Sequence, residues 1–176
     1  MILDVPYFTQ YSARDFSWQE RSCGVACLKM VLDFYDVGAP TLDDLIEDGK
    51  EDGYIDGVGW KHDYLVKMGL RYGLVGSHRK EFKGSEDNLY ESILEHIKYL
   101  KEEKPVIVSV VKNFEHKDKP HLVVLVGFRE DDSGEITGFY YHEPDSLNPA
   151  DDGNRQFVDM ETFREYWRKM SVFLSR

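Results

Sequence analysis

Residues 104–128 read KPVIVSVVKNFEHKDKPHLVVLVGF, and two runs within this stretch decide the architecture. Val106 to Val111 and Leu122 to Val126 are nearly continuous apolar, β-branched runs flanked by turn formers. A strand with one face in water alternates polar and apolar residues, whereas these do not, so both belong at the centre of a sheet covered on both sides. Asp131-Asp132-Ser133-Gly134 is a hairpin turn that leads into a further strand over Ile136 to Tyr141. The C-terminal half is therefore read as antiparallel sheet.

Upstream of this stretch the period changes from sheet to helix. Leu89, Ile93, Ile97 and Leu100 form one stripe of a long amphipathic helix opened by Ser85 and closed before Pro105. Val25, Leu28, Val31, Leu32 and Tyr35 repeat at helical spacing, with Ser22 at the N-cap position and Gly38-Ala39-Pro40 as the stop. Thr41 and Asp44 form a capping-box-like start for a short helix to about Glu47. Gly49 to Gly59 reads as a surface loop, Trp60 to Met68 as a helix ended by Gly69, and Leu70 to Val75 as a short strand. Val5 to Phe8 reads as a short strand followed by a loop, and 145–154 as a loop. A last helix runs from Asp159 or Met160 to about Met170, and Ser171 to Leu174 reads as an edge strand. Helices first and strands later, with no internal repeat, make an α+β layout.

The chain has 176 residues, and at about 100–200 residues per domain a single domain over 1–176 is expected. Hydrophobic residues at 41% and aromatics at 14% supply enough apolar surface to exclude wholesale disorder. With 33 acidic against 22 basic side chains, the formal charge is −11, which repels phosphate backbones and anionic lipid. Nucleic acid is accordingly set aside as a partner. No apolar run approaches the roughly 18–20 residues that span a bilayer, so membrane insertion is not expected. The start, Met1 to Pro6, lacks a basic and then apolar leader, so a cytoplasmic protein is expected.

The two cysteines, Cys23 and Cys27, lie one helical turn apart, a spacing that rarely closes a disulfide and matches no zinc pattern. No metal or other cofactor is expected. Cys23 falls in the first turn of its helix, where the macrodipole and unsatisfied amides favour thiolate. Gly24 removes a side chain beside the sulfur, leaving room for a substrate carbonyl, and the Cys23 N–H is available to a developing oxyanion. Cys27, one turn further in, reads as core.

A catalytic thiol needs a base. Of six histidines, His121 and His142 adjoin strands, whereas His62, His78 and His96 lie on or near helices and read as surface or core-rim residues. His121 opens the apolar strand, so a rigid element would hold its imidazole at a strand end. In an antiparallel hairpin the start of one strand lies beside the end of the next, which brings 142–145 next to His121. Glu143 and Asp145 both qualify there as the carboxylate that orients the imidazole. A side-chain amide for the oxyanion is offered by Gln10 or Gln19.

Val5-Pro6-Tyr7-Phe8-Thr9-Gln10, then Ser22 to Tyr35, His121 to Phe128, Glu143-Pro144 and the Asn154 to Trp167 ending resemble family 39 of the papain-superfamily cysteine peptidases. That family is best known for bacteriocin leader peptidases that cut after a double glycine. The resemblance implies a papain-like fold, with N-terminal helices packed on a C-terminal antiparallel sheet. It further implies a peptide or amide substrate, with Cys23 as nucleophile, His121 as general base and acid, and Gln10 as oxyanion donor. The orienting acid would be the residue before Pro144. Here the chain departs from the family's usual aspartate, since the residue is Glu143, with Asp145 as a substitute two positions on. A second departure is the long interval from Gln10 to Cys23, for which Gln19 is the fallback donor. A more distant resemblance is to a guanylyl-cyclase-like eukaryotic branch, but no Gly-rich phosphate loop is present.

The same machinery transfers an acyl group to an amine as well as to water. A contrasting reading is a catalytically weak or inactive papain-like domain that binds a peptide or partner protein in the groove.

Overall fold

In the computed structural model the central strands take their positions because their own side chains leave them no other. The structure describes residues 1–84, 86–115, 119–147 and 153–176, with backbone alone over 86–88. The proposed helix start at Ser85 and part of the 145–154 loop lie outside the described residues.

In chain order the elements are α1 (Phe16–Gln19), α2 (Cys23–Phe34), α3 (Leu42–Gly49), β1 (Tyr54–Ile55), β2 (Gly59–Trp60), α4 (His62–Arg71), β3 (His78–Glu81) and α5 (Glu86–Lys101). They continue with β4 (Val106–Val111), β5 (Pro120–Glu130), β6 (Ile136–His142), β7 (Gln156–Asp159), α6 (Met160–Tyr166) and β8 (Trp167–Phe173). Apart from the small β1-β2 hairpin, the strands form one six-stranded sheet in the order β3-β8-β4-β5-β6-β7, antiparallel at each pairing. β4 and β5 hold the centre, as their composition requires. Every residue of β5 from His121 to Phe128 is buried, which demands cover on both faces, and α2 and α5 both lie against this strand.

Helix α2 is buried over most of its circumference, with Val25, Ala26, Cys27, Leu28, Met30, Val31 and Leu32 fully inaccessible. It is a core helix, and its half-buried Lys29 is neutralised by both carboxylate oxygens of Asp33 at 2.6 and 2.7 Å. The capping box of α3 forms as expected, with Thr41 and Asp44 exchanging side-chain-to-backbone bonds.

Several expectations are corrected. Val5 to Phe8 joins no ladder: the N-terminus pairs only as a bridge between Ile2 and Gly127, and residues 7–11 then bond to the 143–146 segment. The segment between Gln10 and Cys23 contains a 3-10 turn over Gln10–Ser12 and the short α1. Residues 49–59 include β1 and the start of β2. Gly69 does not end α4, which runs on to Arg71. A Cβ at Gly69 would lie 2.6 Å from Ser77 Oγ and 2.8 Å from Leu174, so the glycine serves close packing. No strand forms over Leu70 to Val75; the strand is β3, whose four residues are exposed and carry no apolar alternation. The last helix stops at Tyr166. β8 begins at Trp167, bulges where Lys169 takes a φ of +58°, and lies between β3 and β4 instead of at an edge. β7, adjoining β6, had no signal strong enough to be read.

Candidate active site

The N-terminus of α2 is held by its flanks and capped by none of them. Ser22 is fully buried, but its hydroxyl donates to the Trp18 carbonyl at 2.7 Å and makes no capping bond. The Trp60 indole N–H donates to the Arg21 carbonyl at 2.6 Å, and Trp60 packs with Trp18, Tyr54 and Tyr64 at centroid distances of 5.0–6.0 Å within that cluster. The amides of the first turn, starting with Cys23 N–H, thus have no intrahelical acceptor. Gly24 answers to packing and not to substrate room: a Cβ there would lie 2.6 Å from the Cβ of Trp60.

Cys23 is half-buried and faces a cavity of about 640 Å³ that Gln10, Gln19, His121 and Asp145 also line. Exposed Phe16, Val58 and Leu147 also line it, beside the charged Glu20, Arg21, Lys112 and Lys119, so its wall mixes apolar and charged side chains. Cys27 is fully buried, and its thiol donates to the Leu122 carbonyl at 3.3 Å; burial pushes that thiol well up.

His121 is the second residue of β5 and pairs with Val110 of β4. His142 at the end of β6 pairs with Val124, so the antiparallel hairpin returns residues 143–145 alongside the start of β5. His121 Nε2 meets Glu143 Oε1 at 2.5 Å, which leaves Nδ1 outside that bond. Burial drives the imidazolium of His121 down, but the Glu143 charge and hydrogen bonds with Cys23 and Glu143 overcome it and carry its pKa to about 10. The same Oε1 accepts the backbone N–H of Asp145 at 2.8 Å.

Asp145 itself makes different contacts. Its carboxylate accepts the Tyr11 hydroxyl at 2.6 Å and pairs with the Lys112 ammonium. Burial raises the Asp145 carboxyl, and the bonds from Lys112 and Tyr11 outweigh that effect and hold it below its ordinary range. Of the two candidate acids, the one hydrogen-bonded to the His121 ring is Glu143.

Gln10 is buried on the cavity wall. Its Nε2 donates to the Gln19 carbonyl at 2.9 Å, using one of two N–H groups, while its Oε1 is buried with no partner among the described residues. Gln19 donates its amide to the Ala13 carbonyl at 2.9 Å.

His142 and His96 do structural work. His142 accepts the Arg155 N–H at Nδ1, so Nε2 carries the proton and donates to the Val5 carbonyl at 2.9 Å. His96, expected at the surface or rim, is fully buried: Nδ1 donates to the Ser92 carbonyl at 2.6 Å and Nε2 accepts from Ser171 Oγ at 2.7 Å. Burial depresses it to about 4. Tyr11 and Lys112 were missed in the sequence because nothing local links residues 11, 112 and 145. Among the described residues no group of three or more His, Cys, Asp or Glu side chains is placed to hold a metal ion, and no helix is long and apolar enough to cross a membrane.

Comparison with solved structures finds the same fold in a C39-like protein from Bacillus anthracis, 20% identical, with a TM-score of 0.66 over 99% of this chain and 98% of that one. A double glycine motif protease from an AMS/PCAT transporter, crystallised with a leader peptide, is 21% identical with a TM-score of 0.60, covering 99% and 94% of the two chains. The peptidase domain of Streptococcus mutans ComA is 17% identical with a TM-score of 0.50, covering 89% and 93%. Comparison with curated proteins gave no match. The model of the Peptidase_C39 like family matches residues 2–173, nearly the whole chain, and the papain-like fold is the one those domains share. The chain therefore belongs to the Peptidase_C39 like family.

Proposed function

We propose that the protein is a cysteine peptidase acting on a peptide or amide through Cys23, His121 and Glu143. The observation that carries this reading is the buried imidazole bonded to Glu143 and lining the same cavity as the Cys23 thiol. A buried imidazole paired with a carboxylate, in the same cavity as a thiol at a helix N-terminus, is the base that thiol chemistry needs.

The Cys23 thiolate attacks the scissile carbonyl, and charge develops on its oxygen. The Cys23 N–H, which has no intrahelical acceptor, and the second N–H of Gln10 Nε2 are the donors for that oxyanion. His121 then gives its Nδ1 proton to the departing amine, leaving a thioester on Cys23. In the second half the neutral imidazole takes a proton from water, the resulting hydroxide attacks the thioester, and the acid product leaves as the thiolate and imidazolium re-form. Glu143 holds Nε2–H throughout, which keeps Nδ1 aimed at the sulfur. The exposed apolar side chains of Phe16, Val58 and Leu147 in the cavity lining offer contacts to apolar peptide side chains, and a neighbour in fold space is a protease with a peptide bound.

The test is alkylation of Cys23 by iodoacetamide across the pH range, followed by peptide mapping, in the wild type and in His121→Ala. Reaction at about pH 6 that His121→Ala shifts upward supports the pair, whereas a profile near the ordinary thiol value of about 8.5 in both proteins overturns it. Incubation with a mixed peptide library, with Cys23→Ser as control, then reads cleavage directly.

A further inference from the structure

The segment that carries Glu143 is stitched to the segment that carries Gln10. Tyr7 Oη donates to the Glu143 carbonyl at 2.9 Å, Gln10 N–H to the Pro144 carbonyl at 2.9 Å, Thr9 Oγ1 to the Ser146 carbonyl at 2.7 Å, and Tyr11 Oη to the Asp145 carboxylate at 2.6 Å. Each residue from 143 to 146 thus receives a bond from residues 7–11. A third element is tied in by Lys112, which directly follows β4, whose Val110 pairs with His121.

Asp145 is the knot. Its side chain, 9% exposed, is gripped by Lys112 and Tyr11, and its backbone N–H holds the very oxygen of Glu143 that meets His121. A glutamate has one more rotatable bond than an aspartate, so its carboxylate needs an external restraint to stay in register with an imidazole. We infer that Asp145 is a positioning residue: clamped by Lys112 and Tyr11, it uses its backbone N–H to fix the Glu143 carboxylate against His121, and the same stitching fixes Gln10 to the acid's loop. The clamp is what lets a glutamate stand before Pro144. This inference rests on the reading of Cys23 and His121 as a reactive pair.

Removing one charge of the clamp would also act on the site through space, so the decisive variant removes both. Lys112→Met/Asp145→Ala leaves the net charge unchanged. The measurement is the Cys23 alkylation profile with pH, read by mass spectrometry, in the wild type, this double variant, Tyr11→Phe and His121→Ala. The double variant should react about tenfold more slowly than the wild type at about pH 6, a displacement of about one pH unit toward the His121→Ala profile. Tyr11→Phe, which removes one bond of the clamp and no charge, should move the same way by less.

A double variant that follows the wild-type profile while melting at a lower temperature makes the clamp merely structural and overturns the inference. If circular dichroism shows that the double variant does not fold, Tyr11→Phe, which changes no charge, decides by the presence or absence of its shift. A wild type whose profile does not respond to His121→Ala overturns the reactive pair and the inference together. A response to His121→Ala without one to the clamp variants overturns the inference alone.

Discussion

Replacing Glu143 by glutamine keeps the volume of the side chain and an acceptor oxygen for both His121 Nε2–H and Asp145 N–H, and deletes only the charge. His121 is 5% exposed, so burial alone favours the neutral ring. Against that burial, the Glu143 charge and the hydrogen bonds with Cys23 and Glu143 carry it from 6.5 up to about 10. Two opposite unit charges about 4 Å apart attract by about 4 kcal/mol at an effective dielectric constant of ~20, equivalent to roughly 3 pH units. In Glu143→Gln the imidazole should therefore titrate at about 7, close to its ordinary value. The assay is an NMR titration of the imidazole resonances, with His121 assigned by its loss in His121→Ala, and Cys23 alkylation followed in parallel. The expected result is a His121 midpoint lowered by about 3 units and alkylation at about pH 6 slowed at least tenfold. A midpoint that moves by less than about half a unit would refute the argument that charge, and not shape, holds the pair together.

The same raised pKa has a signature in stability: the contribution of His121 is fully present below about 6.5 and is lost as pH rises toward about 10, so the wild-type melting temperature should fall across that window more than that of Glu143→Gln. His96 has the opposite sign. Its depressed pKa contributes stability above about 6.5 that is lost as pH falls toward about 4, so urea titrations at decreasing pH should show His96→Gln losing less stability than the wild type. At neutral pH that variant should itself be destabilised by about 1–3 kcal/mol through its lost bonds to Ser92 and Ser171. Gly24→Ala would raise intrinsic helix propensity, yet its Cβ would enter Trp60, so the urea midpoint should drop by the equivalent of about 1–3 kcal/mol.

The legible parts of the fold are those in which burial writes itself into a local period. β4 and the Leu122–Val126 stretch of β5 are apolar at nearly every position because both faces are covered, and α2 repeats at helical spacing because it is core. The misread parts are those in which a partner far away in sequence sets the conformation. His78 to Glu81 is polar and exposed throughout, yet it is a strand because β8 offers it a ladder. Trp167 to Met170 continues a helical period, but pairing with β4 through a bulge recovers more backbone bonds for buried residues than another helical turn would. Glycines mislead for a related reason: Gly69 and Gly24 read as a stop and as substrate room, whereas both are places where another side chain must come close.

At the candidate site the division follows sequence distance. The sequence by itself determined that Cys23 would stand at a helix N-terminus and His121 at a strand start, because both placements depend on periodicity and capping within a dozen neighbouring residues. It also brought residues 143–145 near His121, since an antiparallel hairpin has only one way to return. Only the tertiary structure decided which carboxylate meets the ring. The choice is made by bonds from Tyr11 and Lys112 that turn Asp145 aside and by a backbone N–H that steadies Glu143, and these residues share no local pattern. Proximity along a hairpin is a property of chain connectivity, whereas the direction a side chain takes within it is set by whichever buried partners compete for its atoms.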